Sequence, residues 1–347
     1  MTGAAGANGQ SSERQPAVDV PFPSPVPCPL SPAVLLPAVE SEIARLVSSR
    51  AALIPQVHQH LVQAGGKRLR PTLTILSAKA VGECNERAIR FAALVEITHL
   101  ASLLHDDVVD NATIRRGQPA VSVRWGNSVA VLVADWLVAR TFSELVPGDE
   151  TRAIDILANT VRLMCEAELR QIERRSDPWQ VSEQTCLETI AQKTGSLMAA
   201  ACELGGVAGG GTHDQLAALR AYGVALGTAF QIQDDLLDLS GDPTVLGKQI
   251  GSDIAMGQPT LPVLYALRNS SDGLLDELNA AVCVSSPEEL NLPHLRDLVE
   301  QAGGITYARQ AAESYVERGL QALADVPAGP PTEALAALAH QAIDRVS

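Results

Sequence analysis

From Leu35 onward, leucine, valine, isoleucine and alanine recur at three- and four-residue intervals through most of the chain, which limits the fold more than any other feature. That period places an apolar stripe along each helix, and stripes of this kind bury one another in a helical bundle. No run alternates apolar and polar residues as a half-buried strand would. Aromatic residues are only 3% of the 347, and alanine and leucine dominate the apolar set, so composition too favours closely packed helices over a sandwich or barrel. The fold class is therefore read as all-α. Turn punctuation falls at 64–66, 82, 117–119, 147–149, 177–178, 205–212, 241–251 and 257–259, and divides the chain into roughly ten helices. Residues 1–31 are rich in Gly, Ala, Ser and Pro and read as a flexible, partly extended tail; residues 32–347 read as one all-helical domain.

The formal net charge of -14 argues against a general nucleic-acid binder, which needs Lys and Arg to displace phosphate counterions. Small phosphate-bearing substrates are compatible with it, because a bound cation reverses the local field of a carboxylate cluster. Six cysteines (Cys28, Cys84, Cys165, Cys186, Cys202, Cys283) have no metal-ligand spacing and fit reduced thiols in a cytoplasmic protein. No apolar run is read as long enough to span a bilayer, and the N-terminus lacks the order of a signal peptide. Membrane contact is expected to be peripheral at most.

One device occurs twice. His105–Asp110 reads HDDVVD and Gln233–Asp238 reads QDDLLD. On a helix Asp106, Asp107 and Asp110 project together, with Asp106 and Asp110 about 6 Å apart along the axis, and Asp234, Asp235 and Asp238 repeat the pattern. Like charges in apolar surroundings call for a cation. Oxygen-only ligands in partial coordination suit Mg2+, which keeps waters and shares substrate phosphate oxygens. A single DDxxD is as readily an exposed acidic run; two copies in apolar helical sequence are not. The His105-Asp106 pair of a metal phosphohydrolase is a weaker reading, since it needs further histidines and leaves the second set unexplained. Basic residues lie close by in sequence: Lys67, Arg68 and Arg70 in GGKRLRP at a glycine turn that opens a helix, then Arg115, Arg116, Lys193 and Lys248.

These residues together resemble the trans-isoprenyl diphosphate synthase, or polyprenyl synthetase, family. The resemblance rests on GGKRLRP at 65–71, EITHLASLLHDDVVD at 96–110, RRG at 115–117, KTG at 193–195, and FQIQDDLLD followed by GKQIGSD. It implies an isoprenoid synthase-type helical bundle around a central cavity, usually a homodimer. By position it implies that Asp106, Asp107, Asp110, Asp234, Asp235 and Asp238 hold several Mg2+ ions on an allylic diphosphate. Arg115, Lys193, Thr194, Gln231 and Lys248 would hold the same diphosphate, and Lys67, Arg70, His99 and Arg116 would bind isopentenyl diphosphate. The expected reaction ionises the allylic diphosphate, couples it to isopentenyl diphosphate and loses a proton. One residue departs from the pattern: Gln258, in GQPTLP, stands where the family usually carries lysine, and weaker allylic diphosphate binding is expected.

In this family the residues one turn before the first aspartates form the floor under the growing chain. Here they are Ala101 and Ser102, with Thr98 next along that face, and none is bulky. The resemblance is strongest to long-chain synthases, of heptaprenyl to decaprenyl type. A geranylgeranyl or geranylfarnesyl product is the alternative, with Trp136 and Phe142 as candidates to close the cavity early. A class I terpene cyclase would lack the isopentenyl-binding set. A non-catalytic subunit of a heteromeric synthase would have lost its metal sites, whereas both aspartate sets are complete.

Overall fold

The structure is a computed structural model that describes residues 32–240, 251, 254, 256–283 and 289–344. The tail at 1–31 and Lys248 lie outside the described residues. The helices follow in the order α1 (Pro32–Leu46), α2 (Leu53–Gln63), α3 (Leu69–Val81), α4 (Glu86–Val109), α5 (Val121–Trp125), α6 (Asn127–Leu145), α7 (Thr151–Glu173), α8 (Glu183–Ile190), α9 (Ser196–Gly209) and α10 (His213–Ser240). After these come α11 (Leu261–Asn269), α12 (Asp272–Val282), α13 (Leu292–Gln301), α14 (Gly304–Ala322) and α15 (Pro330–Ile343). The punctuation thus separates more helices than the ten expected, because short helices such as α5 and α8 carry too few residues to show a period.

At the centre, α9 packs against α3, α4 and α10, while α4 also packs on α6 and α10 on α14. One apolar core gathers Leu73, Ile75, Phe91, Leu94, Ile97, Leu104, Leu197 and Tyr222 from these central helices. A second gathers Ile232, Leu236, Leu261, Leu264, Leu295 and Val299 around the C-terminal helices. Asn85 starts α4 by accepting a 3.0 Å bond from the Ala88 amide, a cap whose loss costs about 1 kcal/mol. Helix α4 meets the length and hydropathy of a membrane span, contrary to the sequence reading, but 67% of its apolar window is buried inside the bundle.

The glycine run at 205–209 is helix and not turn. A Cβ on Gly205 would stand 2.2 Å from Thr74 O, and one on Gly209 would stand 2.4 Å from Ala78 O. Glycine is therefore required for α9 to lie backbone to backbone on α3. The helix stops one residue later, where Gly210 adopts φ +80.

Between α4 and α5 the chain forms a small antiparallel hairpin, β1 (Ile114–Arg115) with β2 (Gln118–Pro119). Its tip, Arg116 and Gly117, has φ of +49 and +75, the sign that a two-residue primed turn requires at both positions. His60 on α2 holds the hairpin base through a 2.8 Å bond between Nε2 and Pro119 O. Two residues per strand are too few to show alternation, so the sequence gives no sign of it.

Candidate active site

Helix α4 carries the first aspartates to its C-terminal end, where Asp110 is the cap residue. Asp106 and Asp110 are one turn apart and share a stripe, but Asp107 is rotated about 100° from Asp106. Its side chain is fully buried and held by Arg115, with Nε 2.6 Å and Nη2 2.5 Å from Oδ1. This pair ties the hairpin to α4. Asp107 Oδ2 and Asp110 Oδ1 are buried and accept no hydrogen bond among the described residues. Arg175 Nη2 stands 3.6 Å from Asp110 Oδ1. Burial pushes the Asp106 carboxyl up from 3.8 to about 6, against the pull of Lys193; burial also raises Asp110.

The second set lies near the end of α10, with Asp235 and Asp238 buried. A single π turn at Ala191–Gly195, between α8 and α9, links it to the first. Such a turn breaks the regular helical ladder and re-aims its side chains. Lys193 Nζ lies 2.5 Å from Glu168 Oε2 and donates to Gln171 Oε1 at 3.2 Å. Burial opposes the ammonium, but Asp106 and Glu168 outweigh it and hold Lys193 above its ordinary value. Thr194 Oγ1 donates to Gln231 Oε1 at 2.9 Å, and Gln231 Nε2 donates to Asp235 Oδ1 at 2.9 Å. One turn therefore faces both aspartate sets. It lies close on α10 because position 227 is glycine: a Cβ there would be 2.6 Å from Gly195 Cα.

The basic residues form a neighbouring group. Arg68, at φ +49 before α3, is spent on structure: it pairs with Glu40 on α1 and, at 3.0 Å, with Glu96 on α4. Arg70, two residues on, has its Nε buried without a hydrogen-bond partner among the described residues, and feels both Glu96 and Asp234. Arg116 donates from the hairpin tip to Gly65 O. Burial, then the charges of Arg70, Arg116 and Arg115, hold His99 well below its ordinary value, so its imidazole is neutral at pH 7. Lys67 sits exposed on the same glycine turn. Of the floor residues, Thr98 and Ala101 are buried in the packed core, and Thr98 donates to Leu94 O at 2.9 Å. Ser102 is half-buried, its hydroxyl donating to His99 O at 2.8 Å.

Sequence reading missed the contribution of α7. Glu168 and Gln171 reach the site from a helix that reads as an ordinary amphipathic segment, and Arg175 from the turn just after it, with no motif to mark them. A divalent cation fits the residues present: the orphaned carboxylate oxygen of Asp110, and the carboxyl of Asp106 whose charge burial disfavours, both gain from one. Among the described residues no three ligating groups already converge in a closed cage, so an ion there completes its shell with water or substrate oxygens.

Residues 51–294 match the family model described as polyprenyl synthetase. The chain is 35% identical over 311 residues to the octaprenyl diphosphate synthase of Escherichia coli, covering 88% of this chain and 94% of that one. A crystal structure of polyprenyl synthase from Caulobacter crescentus, complexed with calcium and isoprenyl diphosphate, superposes with TM-score 0.83 at 37% identity over 90% of this chain and 95% of that one. Geranylgeranyl pyrophosphate synthetase from Pyrococcus horikoshii superposes with TM-score 0.84 at 30% identity, over 91% and 97%, so backbone likeness alone does not separate product lengths. A family model matched over residues 51–294 and a relative 35% identical over 88% of this chain agree: this chain belongs to the polyprenyl synthetases.

Proposed function

We propose that this chain is a Mg2+-dependent trans-prenyltransferase that condenses isopentenyl diphosphate with an allylic diphosphate to give a long-chain polyprenyl diphosphate. The observation that carries the reading is the π turn that sets Lys193 beside Asp106 and Glu168, and Thr194 beside Gln231 and Asp235. Cations and carboxylates are thereby arranged to receive one diphosphate. Asp106, Asp110 and Asp234 would hold the ions, which when bound supply the positive charge that offsets the charge gathering on departing diphosphate. Asp107 and Asp235 act differently in this reading. Each is buried and bonded to a neighbouring side chain, Arg115 or Gln231, and so fixes the direction of a group that meets the diphosphate.

Lys193, Arg115, Thr194, Gln231 and Lys248 would orient the allylic diphosphate for cleavage of its C–O bond. Arg70, Arg116, Lys67 and His99 would bind isopentenyl diphosphate, and the buried Arg70 Nε without a partner supports that assignment. The core of α4 and α9 excludes water from the allylic cation, which water would otherwise quench. The double bond of isopentenyl diphosphate attacks that cation, and the released diphosphate takes the proton.

A long-chain product is supported by the octaprenyl relative and by the small, half-buried Ser102 below Asp106. A geranylgeranyl or geranylfarnesyl product is the second reading, favoured by the bulky Trp136 and Phe142 of α6, which pack against the core and would close the cavity early. Homodimer formation belongs to the same proposal, supported by Leu132 on α6 and Leu169 on α7, which expose 67% and 58% of their surface. So does a cytoplasmic location, supported by five free cysteines among the described residues. Pyrophosphate release from farnesyl and isopentenyl diphosphates, followed with and without Mg2+, tests the chemistry. The reading requires release that stops with EDTA and in Asp234→Asn; release without isopentenyl diphosphate would point to a cyclase instead.

A further inference from the structure

Where α7 ends, a small pocket has Arg174, Arg175, Glu168, Gln171 and Gln258 among its lining residues, and Arg175 brings it beside Asp110. Its volume is about 50 Å3, too small to enclose a diphosphate, so its charged groups act from the rim on whatever occupies the adjoining site. Gln258 also lines this pocket and, being neutral, adds no charge to it. Asp106, Asp110 and Glu168 gather three carboxyls here, and the cations that act on the two aspartates are Lys193, Arg115 and Arg175. Of these three, Lys193 is paired with Glu168 and Arg115 with Asp107, whereas Arg175 approaches Asp110 without being locked to it.

The contrast with Arg115 shows this. Arg115 grips Asp107 at 2.5 and 2.6 Å on a fully buried oxygen. Arg175 stands 3.6 Å from Asp110 Oδ1, beyond hydrogen-bond reach, with its own side chain 47% exposed. An arginine held this loosely is steered toward Asp110 without being consumed by it. When a cation takes the Asp110 carboxylate, the guanidinium is left facing the anion that the cation carries, and a planar fork of donors suits phosphate oxygens. We propose that Arg175 is a diphosphate-binding residue of this chain, supplying from the turn after α7 the positive charge that Gln258, in the same pocket, does not supply. This rests on the prenyltransferase reading for the identity of the anion and deepens it by adding a residue that no motif marks.

The test is a pair of substitutions read in two ways. Binding of inorganic pyrophosphate in the presence of Mg2+ is measured by calorimetry for the full chain, Arg175→Gln, and Arg175→Gln with Gln258→Lys. Steady-state KM is then measured for farnesyl and isopentenyl diphosphates separately. Losing a charge-assisted contact should weaken pyrophosphate binding and raise the KM for farnesyl diphosphate about tenfold. The KM for isopentenyl diphosphate should stay within about twofold of its original value. Lysine at 258 should recover most of both losses, which repair of a merely structural defect would not do. Unchanged pyrophosphate binding in Arg175→Gln, or a loss that Gln258→Lys fails to reverse in a variant melting like the parent, would overturn the assignment. If the parent chain makes no prenyl product while Arg175→Gln still weakens pyrophosphate binding, the reaction reading fails and the anion site stands.

Discussion

Asp106 is predicted to destabilise the metal-free protein at neutral pH, so replacing it should raise stability while abolishing turnover. Its carboxyl is pushed from 3.8 up to about 6, chiefly by burial, with Lys193 opposing and Glu168 and Asp110 adding to the shift. A folded-state value above the unfolded one means that the fold binds the proton more tightly. The contribution to stability is therefore most favourable below pH 4 and is lost as pH rises through 6. About two pH units correspond to about 3 kcal/mol between the ionised and neutral forms. Asp106→Asn keeps the shape of the neutral acid, so it should gain about 3 kcal/mol at pH 7, about half of that at pH 5, and almost nothing by about pH 3. In a domain of this size that is about 5 °C in melting temperature at pH 7, read by scanning calorimetry in EDTA. Mg2+ with pyrophosphate should invert the order, because the bound ion favours the carboxylate. A variant that melts at or below the parent at pH 7, or whose gain is equal at pH 7 and pH 4, would refute the claim that burial dominates at Asp106.

Other substitutions test the frame and the roles assigned within it. Gly205→Ala should lower the urea midpoint by the equivalent of at least about 2 kcal/mol, since the new Cβ would meet Thr74 O at 2.2 Å and a backbone carbonyl cannot step aside. Asp107→Ala should free Arg115 and the hairpin, cutting kcat/KM by about a hundredfold in steady-state assays, while Asp107→Asn, which keeps an acceptor, should lose less. Ser102→Phe should shorten the product without removing condensation, as read by chromatography of the dephosphorylated alcohols; an unchanged chain length would remove Ser102 from the floor of the cavity.

Much of this was legible because the chemistry repeats in one dimension. Asp106 and Asp110 are spaced by a helical turn, and so are Asp234 and Asp238, so the acidic faces can be read directly from residue intervals. The GGKRLRP turn likewise announces its charges. Glu168 and Arg175 were not legible, because their role depends on where the end of α7 meets the π turn and Asp110, a long-range packing outcome with no local signature. The run at Gly205–Gly209 misled for a related reason. Glycine signals both a turn and a close helix crossing, and only the position of α3 decides between them. Asp107 is instructive in the same way: helical spacing groups it with its neighbours, whereas a 100° rotation and the hairpin's Arg115 turn it inward.

The most direct measurement incubates the purified chain with labelled isopentenyl diphosphate, Mg2+ and each allylic starter in turn, then sizes the dephosphorylated products. The account predicts linear all-trans alcohols of about thirty-five carbons or more, formed only with both substrates and Mg2+; absence of any elongated product, in a protein shown to be folded, would contradict it.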